Sequence, residues 1–261
     1  MAADDVAHVE VGGLRIAYRR AGEGPPLVLL HGAFSDGREW RRQLEGLSDE
    51  FAVVAWDAPG FGRSSDPPEG FGARDYAESL AGFIGALGLG RAHLVGLSLG
   101  SVLALELYRW HPEIPATLVL ASAYAGWAGS LPPDEVEERL QTTLRLLDLP
   151  AEEWMPGFIG EIFTEAAPRH LYDEAMEIAL DFHPAGMRAV AEAFGRADLR
   201  DVLPTIDVPT LLLYGDADAR ASVAVARELH GRIRGSKLVL IPRVGHQSNM
   251  QAPGRFNAEV R

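Results

Sequence analysis

Short apolar runs alternate with segments of helical period along most of the chain. Val6–Val11 and residues 14–19, parted by Gly12-Gly13, predict an opening β-hairpin. Residues 27–30 predict a compact buried strand, 40–47 a helix and 51–56 the next strand, followed by a turn-rich loop over 57–68. Across 75–87, Leu80, Phe83, Ile84 and Leu87 fall at spacings of three and four, which gives a helix with one apolar stripe. Ala92–Leu97 predicts a strand, Leu99–Trp110 a helix closed by Pro112, and 117–121 a strand. Strands that are apolar throughout, set between helices, are what a parallel sheet covered on both faces requires, because both sides of each strand are buried.

From about Tyr124 the rhythm changes. Residues 133–147, 151–164, 168–181 and Pro184–Phe194 are helical segments with no strand between them, several opened by proline near the first turn. Strand patterning returns at 210–214 and Lys237–Ile241, with a helix over 222–233 between them, and a last helix beginning near Pro253 is still running at Arg261. The expected organisation is an α/β core over 1–123 and 196–261 with a helical cap, 124–195, inserted in it.

Composition narrows the function classes. Apolar residues are 47% and charged residues 23% of the 261, ordinary for a globular domain. With no cysteine, thiolate nucleophiles, redox pairs and Cys-ligated zinc are excluded. Acidic side chains outnumber basic ones, 37 to 24, for a net charge of −13 with no basic run, so nucleic acid and anionic membrane surfaces are not expected partners. The acidic, polar start Met-Ala-Ala-Asp-Asp lacks the pattern of a secretory signal. The uncharged stretch 114–133 is broken by Pro115, Gly126, Gly129, Pro132 and Pro133, and reads as a strand running into a loop rather than a membrane span. The expectation is a cytoplasmic protein; the sequence does not separate monomer from homodimer.

Gly96-Leu97-Ser98-Leu99-Gly100 matches G-x-S-x-G and sits between a predicted strand and a predicted helix, the setting in which a tight turn lifts a serine oxygen to the sheet edge. Without that setting, Ser98 would be a simple helix cap. A serine hydroxyl needs a base to take its proton, and the base needs a carboxylate to orient it. Asp218 and Asp216 follow the strand at 210–214, and His246 follows Lys237–Ile241. All lie beyond the carboxyl ends of strands, where parallel sheets gather their sites. Spacing alone does not separate Asp216 from Asp218. The Leu99 amide, next to the nucleophile, is a candidate oxyanion donor. His8, His93, His111, His170, His183 and His230 show no metal-ligand spacing, and His31 reads as a residue that shapes the turn after its strand.

These motifs resemble the α/β-hydrolase fold superfamily in its esterase, lactonase and perhydrolase branch. The similarity spans nearly the whole chain and includes Leu29-Leu30-His31-Gly32, the loop Asp57-Ala58-Pro59-Gly60-Phe61-Gly62-Arg63-Ser64, the serine turn, Val208-Pro209-Thr210-Leu211-Leu212-Leu213-Tyr214-Gly215 and Gly245-His246. The resemblance implies an eight-stranded, mostly parallel sheet with helices on both faces and an inserted four-helix cap. It selects Asp218 as the acid, three positions after the glycine ending the seventh strand, and assigns the second oxyanion amide to Ala33. Asp57 and the glycines after it resemble the family's structural loop. Phe34, Trp127, Trp154, Phe158, Phe182 and Met187 are candidates for an apolar acyl pocket, although such side chains at helical spacing also build ordinary core.

The expected activity is hydrolysis of carboxylic esters through an acyl-enzyme, with no cofactor and no metal, on a small ester substrate. A lactonase opening an enol-lactone or acyl-lactone would share every one of these residues. Perhydrolases often carry Met after the serine, where this chain has Leu99. Epoxide hydrolases and haloalkane dehalogenases use an aspartate nucleophile, which Ser98 excludes. A slow-turnover ligand sensor with the same triad is the non-metabolic alternative.

Overall fold

The computed structural model describes residues 5–261. The first hairpin, β1 (Val6–Val11) and β2 (Leu14–Ala21), pairs antiparallel, and β2 pairs antiparallel with β4 (Ala52–Trp56). The remaining strands, β3 (Pro26–Leu30), β5 (Ala92–Leu97), β6 (Pro115–Ala121), β7 (Thr210–Gly215) and β8 (Lys237–Ile241), join β4 in parallel. The order across the eight-stranded sheet is β1-β2-β4-β3-β5-β6-β7-β8. From β3 the chain moves out to β4 and then returns to β5 on the other side. This reversal opens a crevice at the carboxyl ends of β3 and β5.

Each apolar strand serves two faces at once. Val28, Leu30, Val54, Trp56, Leu94, Leu118 and Leu120 belong to one core cluster, and the alternating Leu27, Leu29, Val53, Ala55, Val95, Val119 and Ala121 belong to the other. Helices α1 (Arg41–Leu47) and α10 (Pro253–Val260) cover the second face with Leu44, Leu47 and Phe256. The first face is covered by α2 (Ala73–Ala86), α3 (Leu99–Trp110) and α8 (Val223–Arg232). Between β6 and β7 come four successive helices, α4 (Pro133–Leu146), α5 (Ala151–Ile162), α6 (Arg169–Leu180) and α7 (Pro184–Phe194). Met155, Ile159, Leu171, Met187 and Phe194 of these helices join the first-face cluster.

Departures from the sequence pattern are local. The helix expected at 40–47 begins one turn earlier as a 3₁₀ turn, Gly37–Trp40, because the Asp36 side chain accepts from Arg38 N–H and caps it. Helix α2 starts at Ala73 rather than Asp75, since the Asp75 carboxylate reaches back to the Gly72 N–H from the third helical position. A four-residue helix, α9 (Ser248–Gln251), follows His246; it is too short to show a period.

Candidate active site

Strand register aligns the carboxyl ends. Leu30 is level with Trp56 and Gly96, Leu97 with Ala121, Ala121 with Leu213, and Gly215 with Ile241. The loops that follow β3, β5, β7 and β8 therefore emerge along one edge, carrying Ala33, Ser98, Asp218 and His246. Ala33, Ser98, Leu99 and His246 line a single cavity between this edge and the four inserted helices.

Ser98 sits on a strained turn with φ 51° and ψ −110°, left-handed backbone that non-glycine residues rarely adopt. The glycines around it are required by contact. A Cβ on Gly100 would lie 2.0 Å from the Leu30 carbonyl oxygen, and one on Gly96 2.3 Å from that of Gly100. Neither Ala33 N–H nor Leu99 N–H donates to a protein acceptor among the described residues. Two open amides thus flank Ser98 on the cavity wall.

Asp218 and His246 are buried against each other. His246 Nδ1 lies 3.0 and 2.9 Å from the two carboxylate oxygens of Asp218, whose Oδ1 also accepts from the backbone N–H groups of Arg220 and Ala221, each at 2.8 Å. Burial works to raise the Asp218 pKa, but the His246 ring and the two amides outweigh it and hold the carboxyl below the usual range. Asp216 is exposed and accepts instead from Arg243 N–H at 2.5 Å. Contact with the imidazole thus separates two acids that spacing could not. With Nδ1–H directed at Asp218, Nε2 is the free ring nitrogen. The half-buried Ser98 hydroxyl makes no hydrogen bond to His246 in this conformation; such contacts are commonly loose without substrate and tighten when it binds.

The histidine loop is pinned from several sides. Ser122, itself at φ 45°, donates from Oγ to the His246 carbonyl at 2.9 Å, and Gln247 N–H donates to the Ile162 carbonyl at the end of α5 at 3.0 Å. Glu39 joins this loop to the loop after β3 that carries Ala33. Its carboxylate accepts from Gly32 N–H at 3.1 Å and from Gln247 Nε2 at 2.8 Å, and its backbone carbonyl accepts from Asn249 Nδ2 at 3.2 Å. Sequence reasoning missed Glu39, Gln247 and Ser122. A glutamate beside a helix start reads as solvated, and only the fold shows that it is fully buried.

The remaining candidates divide. Phe34, at φ 55°, lines the cavity with Trp127, Phe158 and Met187. Trp154 and Phe182 do not line it. They stand behind Phe34, their ring centroids 5.2 and 5.3 Å from it, with Phe158 5.0 Å away on the same ring. His31 is fully buried, accepts the Ala58 N–H at Nε2 and directs Nδ1 at the Gly32 carbonyl, which fixes a neutral ring; burial lowers its pKa. Asp57 takes Gly37 N–H, Arg63 N–H and the Arg19 guanidinium, while Ser64 donates to its carbonyl at 2.6 Å, so this loop is tied to the segment that follows β3. Among the described residues no group of three or more His, Asp or Glu is arranged to hold a metal ion, and no helix is long and apolar enough to cross a membrane.

Residues 27–259 match the profile of the Alpha/beta hydrolase family. The chain is 27% identical over 256 residues to a pimeloyl-[acyl-carrier protein] methyl ester esterase of Vibrio atlanticus, covering 92% of this chain and 94% of that protein. Among solved structures, a thermophilic esterase from Thermogutta terrifontis superposes with a TM-score of 0.90 at 28% identity, over 98% of this chain and 97% of the other. An enol-lactonase from Burkholderia xenovorans superposes at 0.82 with 25% identity, over 97% and 98%.

Proposed function

Given that the chain belongs to the alpha/beta hydrolase family, we infer that it is a serine hydrolase of carboxylic esters, working through an acyl-enzyme. One observation carries this reading: a buried histidine fixed on a carboxylate, sharing a cavity wall with a strained serine that two open backbone amides flank. Ser98 Oγ attacks the acyl carbon while His246 Nε2 takes its proton. Asp218 keeps Nδ1–H in place and stabilises the imidazolium. The Ala33 and Leu99 amides hold the developing oxyanion, each worth about 3–4 kcal/mol in well-studied cases. His246 then protonates the leaving alcohol, and water releases the acyl group by the reverse sequence. Residues 124–195 act as the cap, and their apolar wall receives the acyl chain. The reading takes the protein as cytoplasmic and cofactor-free.

Ser98→Ala should cut turnover of a p-nitrophenyl ester by about 10⁴–10⁶; turnover near the wild-type rate would remove Ser98 from the mechanism. The likeness to an enol-lactonase supports a second reading, opening of a cyclic ester by the same residues. A panel of lactones run beside linear esters separates the two by which class gives the higher kcat/KM.

A further inference from the structure

The cavity wall is unusual in its charge. In a chain of net charge −13, no aspartate or glutamate lines this cavity, and two arginines do: Arg139 from α4 and Arg220 from the loop that carries Asp218. They stand close together. Arg139 Nη2 reaches the Arg220 carbonyl at 3.5 Å, and Tyr124, also on the wall, accepts from Arg139 Nη1 at 3.3 Å while its hydroxyl donates to the same Arg220 carbonyl. The acids that pair with them face outward. Glu135, 41% exposed, holds Arg139 at 2.8 Å, and Glu161, 61% exposed, holds Arg220 at 2.6 Å. Each acid takes a single guanidinium nitrogen of its arginine, Nη2 of Arg139 and Nη1 of Arg220. The Arg220 Cζ lies over the Phe158 ring, 4.8 Å from its centroid, and apart from the Glu161 bond the guanidinium N–H donors have no protein acceptor among the described residues.

Two arginines on the wall of an acid-free cavity, Arg220 with most of its guanidinium donors unused and Arg139 bonded to the Arg220 backbone, offer the planar fork that a carboxylate accepts. We propose that Arg139 and Arg220 form an anion subsite, and that the preferred substrate is an ester bearing a free carboxylate, its ester carbonyl at Ser98 and its carboxylate on the arginine pair. This rests on the serine-hydrolase reading above and deepens it by naming the substrate class. The carboxylate can belong to the acyl part or to the alcohol part, and the chemistry of the subsite is the same for both.

The test compares matched charged and neutral esters. Monomethyl adipate against dimethyl adipate puts the carboxylate on the acyl side; 4-acetoxybutanoate against its methyl ester puts it on the alcohol side. In at least one pair the wild-type enzyme should favour the anion by tenfold or more in kcat/KM. Arg139→Gln and Arg220→Gln should each reduce that ratio about tenfold, whereas a variant damaged in folding lowers both members of a pair together. A ratio of one or below in both pairs overturns the subsite, as does a ratio that both variants leave unchanged. Calorimetric binding to Ser98→Ala keeps the test apart from catalysis. Tighter binding of monomethyl than dimethyl adipate, or of 4-acetoxybutanoate than its methyl ester, lost on adding Arg139→Gln, upholds the subsite even if neither ester is turned over and the esterase reading fails. Equal binding in both pairs overturns it even if both esters are cleaved.

Discussion

Glu39 offers a prediction that can be worked through from its surroundings. Its side chain has no exposure, and burial drives its pKa upward; the donors around it (Ser35, the Gly32 amide and Gln247) pull the other way, and the balance leaves it raised from 4.5 to about 7. The folded protein therefore binds this proton more tightly than the unfolded chain does between those two values. The contribution of Glu39 to stability is fully present below pH 4.5, is lost as the pH climbs to 7, and is level above that. A gap of about 2.5 pH units, at about 1.36 kcal/mol each, corresponds to about 3 kcal/mol. Glu39→Gln removes the titration. Its amide NH₂ meets donors and imposes an offset, but one that does not change with pH. Asp57, raised to about 6 by burial, titrates in both proteins and cancels from the comparison. Urea unfolding of the two proteins from pH 5 to pH 8 should show wild-type stability dropping relative to the variant by about 2–3 kcal/mol, at constant m-value. A difference curve flat to within about 0.5 kcal/mol would mean that the three donors outweigh burial and the carboxylate is anionic throughout, and the reasoning would be refuted.

Two further outcomes follow from the geometry. In Asp218→Asn, the backbone N–H groups of Arg220 and Ala221 hold the amide oxygen at the Oδ1 position, so the NH₂ faces His246 Nδ1 and forces the wrong ring tautomer; kcat on an activated ester should fall about 10⁴-fold, and a loss under tenfold would contradict the role given to this acid. Gly100→Ala drives a Cβ to 2.0 Å from the Leu30 carbonyl oxygen and 3.0 Å from that of His31, both backbone and unable to yield; a loss of about 3 kcal/mol, or about 6–12 °C in Tm, is expected in a thermal melt, and a Tm within about 2 °C of wild type would show that β3 and α3 can part.

Most of the scaffold was legible because its signals are local. Apolar strands buried on both sides, such as Leu27–Leu30 within β3 and Val53–Ala55 within β4, leave an uninterrupted apolar run between turn signals. The order of Ser98, Asp218 and His246 along the chain was legible too, since each follows a strand end. What stayed hidden depends on long-range packing. Glu39 is buried only because Gly32 and Gln247 close over it from opposite ends of the sequence. Arg139 and Arg220 read as surface charge until the helices bring them to one wall. The periodicity of Trp154 and Phe182 announced an apolar face but could not say that this face presses on Phe34 rather than on the cavity.

The contacts on Phe34 tie the inserted helices to the loop after β3. Its left-handed backbone sits next to the Ala33 amide, and its ring is clasped by Trp154 and Phe158 of α5 and by Phe182 just beyond α6, while the end of α5 also anchors the segment bearing His246 through Ile162. Replacing the four inserted helices would therefore disturb the backbone beside the Ala33 amide and the segment bearing His246 at the same time. On the proposed reading, exchanging these helices would move selectivity and rate together, because ring contacts and one hydrogen bond tie both loops to α5.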